Sequence, residues 1–462
     1  MDHQKKVTDN PLAMEQTGKL IARFAIPAII SMLVSSLYNI VDQIFIGQGV
    51  GMLGNAATNI AFPVSIICTA TALLLGIGSA SNFNLASGEG DNERAAGIAG
   101  TGLTMLGLCG IFIAVIVIAF LNPLLHLFGV TPEVLPFAQD YTSITAFGIP
   151  FLVLTTGGNH LIRADRSPAY SMTCMLAGAI TNTILDPLFI FGFSWGIQGA
   201  AAATVIGQVL SGIMVIVYFA KFRNMEFPLK RLKPRAEYLK AIVSLGMASC
   251  INQIAMAIVQ ITMNNTLRYY GADSAYGMDI PLACVGVISK VNMVFMSICI
   301  GISQGCQPIW GFNYGAKLYG RVKDTYKKAF RAAFTVGVCF FICFQFFPRQ
   351  IVSIFGTGSE EYFHFAERYF KIFMLMTFIN GVQPMCSGFF TSIGKARLGI
   401  VVSLTRQVIF LLPLIIIFPL FLGIDGVMYA GPIADTAAAI VAVSLAVREL
   451  KLLFTGDVVK LS

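Results

Sequence analysis

From Leu20 onward the chain is written in long apolar runs separated by short polar stretches. Twelve such runs lie near residues 20–46, 53–86, 95–120, 134–162, 169–191, 196–220, 239–266, 280–312, 325–347, 366–393, 398–420 and 425–447. An α-helix needs about 20 apolar residues to cross a bilayer. The pattern therefore predicts an all-α integral membrane protein with twelve transmembrane helices. The runs near 53–86 and 280–312 exceed a simple crossing, so they should tilt or continue past the membrane surface.

The pattern also repeats, at roughly 218 to 230 residues. Gly76-Ile77 recurs as Gly301-Ile302, and Leu185-Asp186-Pro187-Leu188 is answered by Leu411-Leu412-Pro413-Leu414. Gly196-Ile197-Gln198-Gly199 is answered by Gly423-Ile424-Asp425-Gly426, and Gly88-Glu89-Gly90-Asp91 by Asn313-Tyr314-Gly315. Six runs per half place corresponding residues on the same membrane side, which makes the halves parallel repeats. The expected organisation is a lobe over 1–220, a basic linker over 221–238 and a second lobe over 239–462. Between them a central cleft is expected.

Composition agrees with membrane burial. The chain is 56% hydrophobic and 12% charged, with a mean hydropathy of +0.76, whereas a soluble domain carries about 25% charged residues. The net charge of +8 invites a nucleic-acid partner until its distribution is followed. Lys221, Arg223, Lys230, Arg231, Lys233, Arg235 and Lys240 crowd the central loop. Lys317, Arg321, Lys323, Lys327, Lys328 and Arg331 crowd the loop after run eight. The loops on the opposite side carry only Arg268, Arg349, Arg368 and Lys371. This positive-inside bias predicts a multi-pass cell-membrane protein with both termini in the cytoplasm and no nucleic-acid partner. The first nineteen residues are polar and show no cleavable signal. All ten cysteines fall in apolar runs and the four histidines are scattered, so no disulfide framework or metal cluster is expected.

Within this apolar background two acids stand out. Asp42, in Tyr38-Asn39-Ile40-Val41-Asp42, and Asp186, in Asn182-Thr183-Ile184-Leu185-Asp186-Pro187, both fall inside runs. An Asp at the middle of a membrane helix costs about 2.5–3.5 kcal/mol on insertion scales. Tyr38 and Asp42 are four residues apart, as are Asn182 and Asp186, so each acid has a hydrogen-bonding side chain one turn away. The repeat breaks at these positions, because Leu412 matches Asp186 and the match to Asp42 is Gln260 or Thr262. Two buried acids that interact take up protons as a unit, and two carboxylates with neutral oxygens also suit Na⁺. Helix–helix hydrogen bonding is the structural alternative. Pro27, about four turns before Asp42, is either a static kink or a conformational hinge. Lys290, Arg406 and Asp435 are candidates for a charge network in the second half, structural or coupling. No phosphate-binding Gly-x-x-x-x-Gly-Lys motif occurs, and no nucleophile–base–acid set can be assembled around His160, so no enzyme activity and no cofactor is expected. Arg163-Ala164-Asp165-Arg166 reads as a solvated loop.

These residues resemble the multidrug and toxic-compound extrusion (MATE) family, in its DinF-like or MepA-like branch. The likeness spans essentially the whole chain. It rests on Ile26-Pro27, Tyr38 through Asp42 with Gly47, Gly88 through Asp91, and Asn182 through Pro187. In the second half it extends over Gln304-Gly305, Gln307-Pro308-Ile309, Gly311 and Asn313-Tyr314-Gly315-Ala316. The resemblance implies a V-shaped bundle of two six-helix lobes, and the chain is expected to work as a monomer in the lipid bilayer. It implies an antiporter that exports lipophilic, often cationic compounds against H⁺ or Na⁺ by alternating access. Carried over by motif, the coupling-ion site would be Asp42 and Asp186 with Tyr38, Asn182 and Thr204, and with Asn159 as a looser match. The NorM-like branch carries acids on its seventh and tenth helices, where this chain offers only amides such as Asn252, Gln260, Asn264, Asn380 and Gln383. A flippase for lipid-linked precursors is the alternative. It would want a cationic cleft, for which Lys290 and Arg406 are the candidates.

Overall fold

The computed structural model describes residues 10–221, 232–272, 274, 276–277, 279–355 and 359–455. Most of the expected linker, 222–231, lies outside the described residues. Among the described residues there is helix and no strand. In chain order the crossings are α1 (Thr17–Gly49), α2 (Met52–Gly88), α3 (Asn92–Ala119), α4 (Leu135–Ala146 with Ile149–Ala164), α5 (Pro168–Pro187) and α6 (Gly196–Ala220). The second half supplies α7 (Ala236–Ala272), α8 (Asp279–Gly315), α9 (Tyr319–Phe346), α10 (Glu360–Phe373 with Thr377–Ser392), α11 (Ala396–Leu422) and α12 (Ile424–Thr455).

Ten of the twelve are single stretches long and apolar enough to span a membrane. The tenth is broken by 51° between Phe373 and Thr377. The fourth is interrupted at Phe147-Gly148, just before Pro150, which has no N–H to continue the ladder. α2 and α8 are each 37 residues long. At 1.5 Å per residue that length exceeds the roughly 30 Å hydrocarbon layer. The Gly88–Asp91 motif is a tight turn: Gly90 takes φ 78° and Asp91 caps α3 by accepting from the Arg94 N–H at 3.0 Å.

The cores show how the halves join. One cluster lies among α2–α6, with Phe83, Leu106, Leu161 and Val215, and it also takes in Ile242 at the start of α7. A second lies within α7–α12 and includes Val259, Phe295, Phe370 and Met428. A third gathers Leu20 and Phe24 at the start of α1 with Trp310, Phe389 and Val402 of the second half. Each half therefore lends the first turns of its first helix to the other half's core. Farther along, α1 returns to its own half, where Ile46 packs with Ile190 and Ile197. The crossing helices approach closely through glycine. A Cβ on Gly246 of α7 would overlap the Leu74 carbonyl of α2, and one on Gly301 of α8 would meet Ile29 of α1. Ser36 and Ser297 hydroxyls meet at 2.7 Å where α1 crosses α8.

The joined end is the basic end. The N-terminal stretch is tied there to the second half: Asn313 Nδ2 donates to the Leu12 carbonyl at 3.0 Å, and Lys328 Nζ donates to Thr17 Oγ1 at 2.6 Å. Thr17 also donates to Asp324. Beyond the Ser36–Ser297 contact the halves have separate cores, which leaves a cleft between them.

Candidate functional site

α1 and α5 place the two acids side by side. They run in the same direction, and Ile46 and Ile190, one turn beyond Asp42 and Asp186, share one apolar cluster. That register brings the Asp42 and Asp186 carboxyls within hydrogen-bonding reach of each other. Asp186 is fully buried and Asp42 is 8% exposed. Pro187 follows Asp186, and the backbone then relaxes into a π-helical turn, Leu188–Gly192, a distortion frequent at functional sites.

Asn182 and Thr204 complete the wall. With its oxygen turned toward α6, the Asn182 amide donates to Asp186 Oδ2 at 3.2 Å. Its oxygen then accepts from the Thr204 N–H and hydroxyl at 3.2 and 3.3 Å. Tyr38 lies close enough to feel both acids. Tyr141, on the first piece of α4, faces the same pair with its hydroxyl against Thr204. The repeat and the spacing rules did not point to Tyr141, because it reaches the acids from a different helix with no sequence neighbour in the site.

One atom is left over. Asp42 Oδ1 is buried and has no hydrogen-bond partner. A carboxylate is acceptor-only, and two of them cannot satisfy each other unless a proton or a cation stands between. The donor set is two carboxylates, an amide oxygen and hydroxyls, all hard oxygen ligands of the kind that hold Na⁺ or accept H⁺. Among the described residues no cluster of three or more His, Cys, Asp or Glu could hold a resident metal.

The other expected residues sort differently. Asn159 is buried on α4 but its carbonyl accepts from Ser171 at 3.3 Å, 15 residues before Asp186 on α5. At 1.5 Å per residue it lies about 22 Å from the acids along that helix. Its side-chain amide has no partner. Pro27 sits inside α1, which runs through it unbroken, with Ser31 Oγ donating to the Pro27 carbonyl at 2.8 Å. Of the three second-half charges, two meet: Arg406 Nε donates to Asp435 Oδ1 at 2.6 Å, with side chains 12% and 3% exposed. Lys290 does not join them; it is exposed on α8 and makes no ion pair among the described residues. The expectation of a solvated Arg163–Arg166 loop fails too, because Arg163 and Asp165 are 3% and 2% exposed. The segment closes α4 against α5, α6 and α8 instead of projecting into water.

With this geometry established, comparison with known proteins places the chain. The sequence profile of the MatE family matches twice, over residues 27–188 and 248–417. The multidrug export protein MepA of Staphylococcus aureus (strain MSSA476) is 26% identical over 430 residues, covering 92% of each chain. MepA of Staphylococcus haemolyticus (strain JCSC1435) is 25% identical over 428 residues at the same coverage. Among solved structures, an outward-facing multidrug resistance MATE family transporter superposes with a TM-score of 0.88 at 23% identity, covering 98% of this chain and 99% of that one. A MATE in the straight conformation gives 0.89 at 23% identity, covering 97% and 99%. At that identity the structural likeness is one of fold. The two profile matches cover most of both halves, and the chain therefore belongs to the MatE family: it is a multi-pass membrane transporter and not an enzyme.

Proposed function

We propose that this chain is a cation-coupled exporter of lipophilic compounds, working by alternating access, with Asp42 and Asp186 as its coupling site. The observation that carries the reading is the pair of buried carboxyls with one unmet oxygen, Asp42 Oδ1, on the α1–α5 wall. Binding a proton or Na⁺ there removes the repulsion between the acids and changes what that wall can pack against. The ion is cargo, entering from one side and leaving on the other. Both termini and the joined basic end would face the cytoplasm, so the cleft described here opens outward.

The cleft chemistry suits apolar cargo. Leu37 and Ile44 of α1 are exposed. On α7, Asn252, Met256, Gln260 and Asn264 fall on one face, with Gln260 Nε2 donating to Asn264 Oδ1 at 3.0 Å. A polar stripe inside the membrane faces a cavity and not lipid. A flippase for lipid-linked precursors is less well served. Arg406, one of its two candidate phosphate-binding cations, is already closed onto Asp435.

The test is efflux of a fluorescent lipophilic cation from cells carrying wild type, Asp42→Asn or Asp186→Asn at matched membrane levels. Export by wild type and failure of both variants is the expected result. Variants that export as well as wild type would make the acids structural. A wild type that moves no dye would raise the flippase reading to first place.

A further inference from the structure

Arg163 of α4 holds a charge at the junction of the two halves without an acid to neutralise it. Its guanidinium donates to His160 Nδ1 at 3.0 Å, to Gln304 Oε1 at 3.0 Å and to Ser171 Oγ at 3.4 Å. No carboxylate among the described residues accepts from it. Asp165, two residues on, instead takes the Tyr218 hydroxyl at 2.5 Å. His160 and Ser171 belong to the same half as Arg163, whereas Gln304 lies on α8 of the other half. Ser81, Asn84, His160, Arg163, Gln304 and Gln307 line one pocket between α2, α4 and α8. The surrounding contact is tight: Gly88 and Gly315 stand against the Phe312 and Leu85 carbonyls across the two halves.

We propose that Arg163 and Gln304 are positioning residues that form an inter-lobe latch and set how readily the basic end opens. The idea rests on the alternating-access reading above. Hydrogen bonds to a charged donor are strong and oriented, so Gln304 favours the closed end. A buried charge met only by neutral acceptors remains poorly solvated compared with water, so the same arginine favours opening whenever Gln304 withdraws. Three substitutions then act with different signs. Gln304→Ala removes the acceptor and leaves the charge, which favours opening. Gln304→Glu supplies a carboxylate to pair with the guanidinium, which favours closure. Arg163→Met gives up its one hydrogen bond to the other half but removes the charge that gains from hydration, which also favours closure.

The experiment measures distances between nitroxide labels at Glu89→Cys and Lys317→Cys in the full-length protein, with the exposed Cys339 and Cys343 replaced by serine. The Glu89 amide lies beside Gly315 at the closed end, so a short distance reports closure. Gln304→Ala should raise the long-distance population roughly tenfold, as losing a hydrogen bond to a charged group implies. Gln304→Glu and Arg163→Met should deplete it. Distances indifferent to all three changes, or moved the same way by Gln304→Ala and Gln304→Glu, overturn the latch. If the distances shift as expected while wild type exports nothing, the transport reading fails and the latch stands.

Discussion

Arg406 and Asp435 are joined at 2.6 Å across α11 and α12, the helix pair that answers α5 and α6 in the repeat. Where the first half carries Asp186, Asn182 and Thr204 with an unmet carboxylate oxygen nearby, the second half carries a closed ion pair. Arg406 sits in a π-helical stretch, Thr405–Leu411, beside Pro413, much as Asp186 precedes its own π-turn beside Pro187. Both halves keep the backbone device, and in the second half the nearby acid is closed onto a cation.

Breaking the closed pair is therefore expected to damage stability more than coupling. Asp435→Asn leaves a buried guanidinium without its counter-charge, a loss of about 3–5 kcal/mol for such a pair. A lower thermal midpoint in detergent, recovered in the Arg406→Met, Asp435→Leu double variant with export intact, is the expected outcome. Loss of coupling with unchanged stability would make this pair a second ion site.

Coupling should depend on the two acids jointly. Each charge moved down a 100 mV potential supplies about 2.3 kcal/mol, so loss of one coupled charge is expected to lower the steady-state dye gradient by up to about fifty-fold. If the acids act as the proposed unit, Asp42→Asn and the Asp42→Asn, Asp186→Asn double variant should lose about the same amount. Additive losses, read from dye accumulation in energised cells, would mean two independent sites.

Tyr141 is expected to tune ion affinity and leave maximal export unchanged. Its hydroxyl meets Thr204 beside the acids, and one such hydrogen bond is worth about 1 kcal/mol. Tyr141→Phe should raise the ion concentration for half-maximal efflux by roughly fivefold at constant maximal rate. Titration of efflux against external Na⁺ at fixed pH, and against pH without Na⁺, measures this and identifies the ion in the same experiment.

Pro27 tests whether α1 must bend. Alanine restores an N–H able to pair with the Arg23 carbonyl and stiffens a helix that runs unbroken through this position. If bending drives the cycle, Pro27→Ala should slow export without lowering the thermal midpoint. Normal export by this variant removes the hinge.

The glycine contacts between halves should tolerate no side chain. Gly246→Ala places a methyl against the Leu74 carbonyl, and overpacking of this kind costs about 1–3 kcal/mol. Gly286→Ala, on a part of α8 with open space around it, is the control. A drop in thermal midpoint for the first and none for the second is expected.

The sequence by itself determined the number of crossings, the parallel repeat and the two acids. Each depends on local chemistry: apolar length against bilayer thickness, and the cost of a carboxylate in hydrocarbon. It also gave the reason Tyr38 shares a face with Asp42 and Asn182 with Asp186, because helical spacing is a property of one segment. What only the tertiary structure decided are the relations between segments. The register of α1 against α5 unites the acids, α4 brings in Tyr141 while carrying Asn159 away, and Lys290 is left apart from Arg406 and Asp435. The burial of Arg163 belongs to this second group. A charge beside a loop reads as solvated until the helices of the other half close over it, and packing between segments distant in sequence leaves no period along the chain to read.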